Sequence, residues 1–259
     1  MTQDTSRRQT RGTPQTGLPF ELQGASLIAL PSGALHWPGQ SLLVVSDLHL
    51  GKSERIARLG GASLPPYEAL DTLERLESDL QVTAAQHVLC LGDSFDDRAA
   101  AEGLGDQVLD WLMRLQAGRD WTWIEGNHDP GPLALGGTHL AELTLGPLLF
   151  RHIATPEFTG SGPASGLPPE SKSAKASSAA GTGADARAEV SGHYHPKARV
   201  AGRAHRCFLV DRARLILPAY GTYTGGLWCH DPALSGLMAP QALAILTGRV
   251  ARAVPMPRR

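Results

Sequence analysis

"SLLVVSDLHLG" (Ser41–Gly51) carries four consecutive apolar residues, Leu42 to Val45, and then changes abruptly to Ser46, Asp47 and His49. A short apolar run bounded by polar residues reads as a buried strand. The polarity at its carboxyl end matters more, because that end of a strand is where open α/β folds meet their ligands. The same pattern is written twice more, in "HVLCLGD" (87–93) and "WTWIEGNHD" (121–129). Between the first two runs, Leu70, Leu73, Leu76 and Leu80 repeat every three or four positions, which predicts an amphipathic helix over 66–80. Between the second and third, Val108, Leu109, Leu112 and Leu115 predict another. Strand, helix, strand, twice over, predicts a largely parallel sheet.

On the amino-terminal side, "SLIAL" and "ALHW" are separated by "PSG", the chemistry of a β-hairpin. Residues 1–18 have no apolar periodicity and are expected to form a disordered tail, with order starting near Phe20. Beyond Asp129 the chain becomes a series of strand-like pieces with Gly and Pro between them: "LAELTL", "PLLFRH", "EVSGHYH", "ARVAG", "CFLVD", "RLILPAYG" and "ALAIL". Two mixed sheets packed face to face, with helices outside, accommodate both halves, so the expected class is α/β. Residues 159–188, built from Gly, Ser, Ala, Pro and Lys, have little to bury and read as a mobile low-complexity insertion. The span 19–259 should form a single domain around it, since the chemically suggestive residues run from Asp47 to His195 and must be brought together.

With 259 residues, 42% of them hydrophobic, the chain can bury a core of that size. Its formal net charge of -1 supplies no overall positive field toward nucleic acid or an anionic membrane, which leaves only a local basic patch for such contacts. No run of about 18 apolar residues is present, and the basic amino terminus leads into no signal-peptide core. Cys90, Cys207 and Cys229 are too few and too scattered for a disulfide framework or a zinc knuckle. A cytoplasmic protein with no membrane partner is the expectation.

Four polar clusters follow apolar strands: "DLH" (47–49), "GDSFD" (92–96), "GNHD" (126–129) and "GHYH" (192–195). His152, ending "PLLFRH", is a fifth candidate. Any one of them alone reads equally well as turn chemistry. Four in succession, each behind a strand, are expected to converge on one sheet edge. What converges is oxygen and imidazole, from Asp47, His49, Asp93, Asn127, His152, His193 and His195, with no thiolate. That mixture suits Mn²⁺ first, with Fe or Zn as alternatives, and Mg²⁺ less well. Seven ligands exceed what one such ion takes and suit two ions, about 3.5–4 Å apart, sharing a carboxylate.

These blocks in this order, D-x-H, GDxxD, GNHD, a lone His and GHxH over about 47–195, resemble the calcineurin-like metallophosphoesterase superfamily. The resemblance implies a four-layer αββα sandwich of two mixed sheets flanked by helices. It implies that Asp47, His49, Asp93 and His195 surround one metal, that Asp93, Asn127, His152 and His193 surround the other, and that Asp93 bridges them. An extended backbone, which sends residues i and i+2 to the same side, would let His193 and His195 serve adjacent ions in this way. The resemblance also leaves His128 outside the ligand set, as the catalytic group facing substrate, with Asp96 orienting its ring. A water acidified by the two cations would attack phosphorus in line.

"DLHLGK" (47–52), "LGDSFDD" (91–97), Arg151 with His152, "GHYHP" (192–196) and "LPAYGTYTGG" (217–226) are in addition similar to the bacterial ligase-associated DNA damage response endonucleases, the PdeM family, over about 20–250. That likeness implies cleavage of phosphodiester bonds in DNA or nucleotides during repair, alongside a DNA ligase, a helicase and an exonuclease-like protein. Where that family carries a histidine after "GDSF", this chain has Asp96. Lys52, Arg55 and Arg58 near the first block, and Tyr194, Lys197, Arg199, Arg203 and Arg206 in or after the last, are candidates for substrate contact; ordinary solvated charge accounts for the basic ones equally. The tyrosines of "YGTYTGG" offer a stacking surface for a base, or a turn that closes the sheet. A phosphomonoesterase or nucleotide pyrophosphohydrolase would use the same metal centre, and a non-catalytic interaction module is the reading from a different class.

Overall fold

A computed structural model describes residues 17–61, 65, 67–129, 135–158 and 187–258. Residues 1–16 of the tail expected over 1–18, and 159–186 of the insertion expected over 159–188, lie outside the described residues; Leu18 and Ala188, at the edges of the two, lie in strands. Seven strands form the first sheet in chain order: β1 (Leu18–Leu22), β2 (Ala25–Ala29), β3 (Leu35–Trp37), β4 (Leu42–Val45), β5 (His87–Leu91), β6 (Asp120–Ile124) and β7 (Thr138–Leu140). Pairing is antiparallel as far as β4 and parallel from β4 to β7. The β2–β3 hairpin is the one expected from "PSG", with Ala29 opposite Leu35. Order begins two residues earlier than expected, because β1 turns into β2 through Gln23 and Gly24, both at positive φ.

The connections are helical: α1 (Lys52–Arg58) and α2 (Glu68–Thr83) between β4 and β5, then α3 (Arg98–Glu102) and α4 (Asp106–Gln116) between β5 and β6. The two amphipathic helices read from leucine spacing are α2 and α4, with Leu73, Leu76, Leu80, Leu112 and Leu115 buried. The second sheet contains β8 (Glu142–Leu145), β9 (Leu148–Arg151), β10 (Ala188–Ser191), β11 (Lys197–Val200), β12 (Arg203–Val210), β13 (Arg214–Ile216), β14 (Leu243–Leu246) and β15 (Arg252–Pro255). Its order is β15-β14-β12-β13-β10-β9-β8, with β11 pairing β12 off that path, and α5 (Pro232–Leu237) lies between β13 and β14 in sequence.

Alternation along the strands builds the layers. Leu42 and Val44, Leu89 and Leu91, and Ile124 enter a core shared with Phe150, Val190, Phe208 and Leu215 of the second sheet. Their neighbours Leu43, Val45, Val88, Cys90, Trp121 and Trp123 face the opposite way and pack with α2 and α4. Cys207, Leu209 and Ile216 face outward from the second sheet onto Leu234 of α5 and Met238. The result is the αββα sandwich, two mixed sheets with few helices outside them. Among the described residues no helix is long and apolar enough to cross a membrane. Cys207 and Cys229, scattered in sequence, come together as free buried thiols with Sγ atoms 3.6 Å apart.

One contact ties this architecture to the loops behind it. Tyr220 is fully buried, so it offers no stacking surface to a base; its hydroxyl donates to Asp79 Oδ2 of α2 at 2.8 Å, and the Arg75 guanidinium lies 5.1 Å over its ring. Its own N–H donates to Ser46 O at 2.8 Å. Of the two readings of "YGTYTGG", the turn is the one Tyr220 adopts. Tyr220→Phe leaves a buried Asp79 oxygen without its donor and is expected to lower unfolding free energy by about 1–3 kcal/mol in urea titrations, with the folded far-ultraviolet dichroism unchanged.

Candidate metal centre

β4, β5 and β6 run parallel in one sheet, and β9, β10 and β13 run parallel in the other. Their carboxyl ends therefore collect the expected polar blocks. The loops go on bonding to each other after the strands end. Asp47 N–H donates to Gly92 O at 3.1 Å and His49 N–H to Asp93 O at 3.0 Å, so the first two blocks lie side by side. Gly192 N–H donates to His152 O at 2.9 Å within the second sheet, and Gly221 N–H donates to Asp47 O at 3.1 Å across the sheets. The loops approach so closely that a Cβ on Gly92 would collide with the His152 ring, and one on Gly192 with the Ser46 hydroxyl. That contact, and not flexibility alone, is why glycine precedes Asp93 and His193.

Asp47, His49, Asp93, His193 and His195 all have φ between 46° and 70°. Left-handed backbone at a non-glycine residue costs of order 1–3 kcal/mol and persists only where surroundings over-determine it. Here these residues bring their side chains into shared clusters. The expectation of an extended "GHYH" is corrected by this: His193 and His195 are both left-handed, and each swings to a different neighbour group.

Two donor groups result from the expected ligands, and a third cluster, of His49, Asp96 and His128, shares His49 with the first of them. In the first, ligand atoms of Asp47, His49 and His195 lie within 4.8 Å of one another, with His195 Nε2 3.0 Å from Asp47 Oδ1 and 3.4 Å from His49 Nε2. In the second, atoms of Asp93, His152 and His193 do the same, with His152 Nε2 3.3 Å from Asp93 Oδ2. Asn127 Oδ1 is 3.1 Å from the same His152 nitrogen. Asp93 Oδ2 also lies 4.0 Å from His49 Nε2, between the two groups. His152 Nδ1 bonds Leu91 O at 3.0 Å, which leaves Nε2 as its free acceptor in the neutral ring.

These groups hold unusual charge. Burial would raise the Asp47 carboxyl, but the hydrogen bond and charge of His195, the His152 charge and the Ser46 hydroxyl together outweigh it and keep the group below the ordinary carboxylate range. Asp93 is likewise opposed by burial and held at about 2 by His152 and by the His128 N–H, which donates to Oδ1 at 2.9 Å. Burial would lower His152, yet the carboxylates of Asp93 and Asp47 raise it to about 9. His193 Nδ1 is buried with no hydrogen-bond partner among the described residues. Opposed imidazole nitrogens, ionised carboxylates and an orphaned imidazole nitrogen fit divalent cations of the oxygen-and-imidazole class.

A second layer braces the first. His49 Nδ1 lies 2.9 Å from Asp96 Oδ1, and Asp96 also takes Lys52 Nζ and Arg55 Nη1, each at 3.1 Å. Asp96, expected to orient the His128 ring, meets it through its backbone carbonyl, 2.9 Å from Nδ1, while its carboxylate is turned to His49 and two cations. Lys52 and Arg55, read as substrate contacts, spend their charge on Asp96, and Arg55 and Arg58 both reach Asp97. Tyr194 packs edge-on against the His193 ring, and its hydroxyl donates to Ala154 O at 3.4 Å. Lys197 rests on Trp228, with Nζ 4.9 Å from the ring centroid.

Asp129, the last letter of "GNHD", had no expected role. Its carboxylate accepts from Ser94, Phe95 and Gly126 N–H groups and so clamps the second and third blocks together. Burial and the nearby Asp93 charge push its carboxyl up to about 6. Ser46, whose hydroxyl donates to Asp47 Oδ2 at 2.6 Å, was missed in the same way.

No curated protein matches the chain. The solved structure of Pseudomonas putida nuclease MPE is similar at 26% identity and a TM-score of 0.66, over 92% of this chain and 100% of that one. The pattern of the calcineurin-like phosphoesterases matches residues 41–171, which contain the first four blocks and stop short of "GHYH". Half of the sequence, including both sides of the second donor group's carboxylate, is thereby accounted for, and the chain belongs to the calcineurin-like phosphoesterase family.

Proposed function

We propose that this hydrolase is a phosphodiesterase that cuts DNA or nucleotide diesters at a binuclear centre, formed by one domain spanning 19–259. The observation that carries the reading is the pair of donor groups with Asp93 between them and the His128 ring beside His49, centroids 5.3 Å apart. The family uses divalent metals. In this reading Asp47, His49, Asp93 and His195 hold one ion, and Asp93, Asn127, His152 and His193 hold the other, with Mn²⁺ preferred over Fe or Zn. Bound there, the ions supply Lewis acidity and lower the pKa of water.

The remaining work belongs to side chains. His128 is partly exposed and tethered at Nδ1 by the Asp96 carbonyl, so Nε2 is left to hydrogen-bond a phosphoryl oxygen or to give its proton to the leaving oxygen. Asp96 fixes His49 by its carboxylate and His128 by its carbonyl, and so acts as a positioning residue for both. Lys52 and Arg55 are already paired with Asp96, which leaves less free positive charge for a terminal phosphate dianion and favours a diester. The nuclease title of the similar Pseudomonas putida structure supports the same choice. The likeness to the PdeM endonucleases extends this to DNA repair in the cytoplasm beside a ligase, a helicase and an exonuclease-like protein.

In Mn²⁺, the protein is expected to hydrolyse a chromogenic phosphodiester faster than the matching monoester and to nick supercoiled plasmid, with both activities abolished by chelator. Monoester turnover alone would instead make it a phosphatase. His128→Ala should keep both metals by elemental analysis and lose about 10²- to 10⁴-fold in turnover, whereas Asp93→Ala should lose metal as well. Equal metal loss in the two variants would contradict the roles assigned to them.

A further inference from the structure

β11 leaves the last histidine block and pairs on its outer side with residues 227–230. Lys197 N–H donates to Leu227 O and Cys229 N–H to Lys197 O, each at 2.8 Å, which sets Lys197 beside Trp228. The two-residue period then sorts the side chains. Ala198 and Cys229, each 1% exposed, turn into the core. Lys197, Arg199, Trp228 and His230 turn outward and, with Pro257, line a recess of about 200 Å³. Lys197 Nζ and Arg199 Cζ stand 4.9 and 5.0 Å from the indole centroid, and the His230 ring is parallel to the indole within 4° at 6.5 Å.

No carboxylate among the described residues pairs with Lys197 or Arg199, in contrast to Lys52, Arg55 and Arg58. Two cations are thus gathered at one indole with no counter-charge, beside an exposed imidazole. A cation–π contact holds such groups near the ring but leaves their charge uncancelled. The chemistry that completes the recess is an anion attached to a flat ring: phosphate for Lys197 and Arg199, an unpaired base for Trp228 and His230. Lys197 is two residues beyond His195, at most about 7 Å of chain, which sets the recess next to the donor groups in the chain.

We propose that this recess binds a nucleotide unit of a single-stranded polynucleotide whose neighbouring phosphate is presented to the donor groups. The proposal rests on the nucleic-acid reading above. It gives a chain of net charge -1 a local basic patch where a general positive field is lacking.

The test is fluorescence anisotropy of a labelled oligothymidylate at several salt concentrations, with chelator present so that no bond is cut. Trp228→Leu and Arg199→Ala are each expected to weaken binding about tenfold, and Arg199→Ala to lower the salt slope by about 1. Trp228→Phe keeps a stacking ring and should keep most of the affinity. Trp228→Leu should leave Mn²⁺-supported hydrolysis of the small chromogenic diester unchanged, and duplex of the same sequence should bind without sensitivity to it. If the unaltered protein binds and cuts the oligonucleotide while the variants bind equally well, the recess is overturned and the nuclease reading stands. If the unaltered protein hydrolyses the small diester but neither binds nor cuts any polynucleotide, the nucleic-acid reading falls and the recess with it. Loss of small-diester turnover in Trp228→Leu would reassign the indole to bracing the histidine loop and overturn the proposal.

Discussion

Two ionised carboxylates, Asp47 at 0% exposure and Asp93 at 2%, stand among five imidazoles where the edges of two sheets meet. Burying such charge is costly unless it is paired and hydrogen-bonded. Asp47 is met by the Ser46 hydroxyl, the His193 N–H and the His195 ring; Asp93 by the His128 N–H and the His152 ring. Most of the local structure is a condition of that arrangement. The strands must end at one edge, five residues must accept left-handed backbone, and glycine must stand where one loop touches the next.

Much of this was legible in the letters. Period-two burial in β4, β5 and β6 and leucine spacing in α2 and α4 are local signals, and they gave both the sandwich and the edge on which the blocks meet. The donor groups were legible because imidazole and carboxylate recur in succession, each time behind an apolar strand, whereas any one block alone reads equally well as turn chemistry. What stayed hidden was set by contacts distant in sequence. The Asp96 carboxylate could serve either of two histidines, and only the approach of Lys52 and Arg55 to it decides for His49. The left-handed turns at His193 and His195 are forced by neighbours in other blocks. α5 buries only Leu234 and β15 is mostly exposed, so neither leaves a periodic trace. Cys207 and Cys229 meet only because β12 and the 227–230 segment flank the same strand.

Charge is arranged in two distinct ways around the centre. On the α1 side, cations are neutralised one by one by Asp96 and Asp97, and Asp96 also meets the His49 and His128 rings. On the β11 side, Lys197 and Arg199 lie against an aromatic ring with their charge still available. The same residue types therefore brace the site on one flank and stay open to an anion on the other.

The hydrogen bond from His193 N–H to Asp47 joins residues 146 apart in the chain, and Gly221 reaches back further still. In folding terms these are contacts of high order, which cost loop-closure entropy before they stabilise anything. Loop-closure entropy grows only with the logarithm of length, so the long sequence separation of these contacts adds little to the cost of forming them. A chain still emerging during synthesis thus holds the first four blocks without the histidines that complete either donor group. Both donor groups are therefore complete only once β10 and the histidine loop after it have been made.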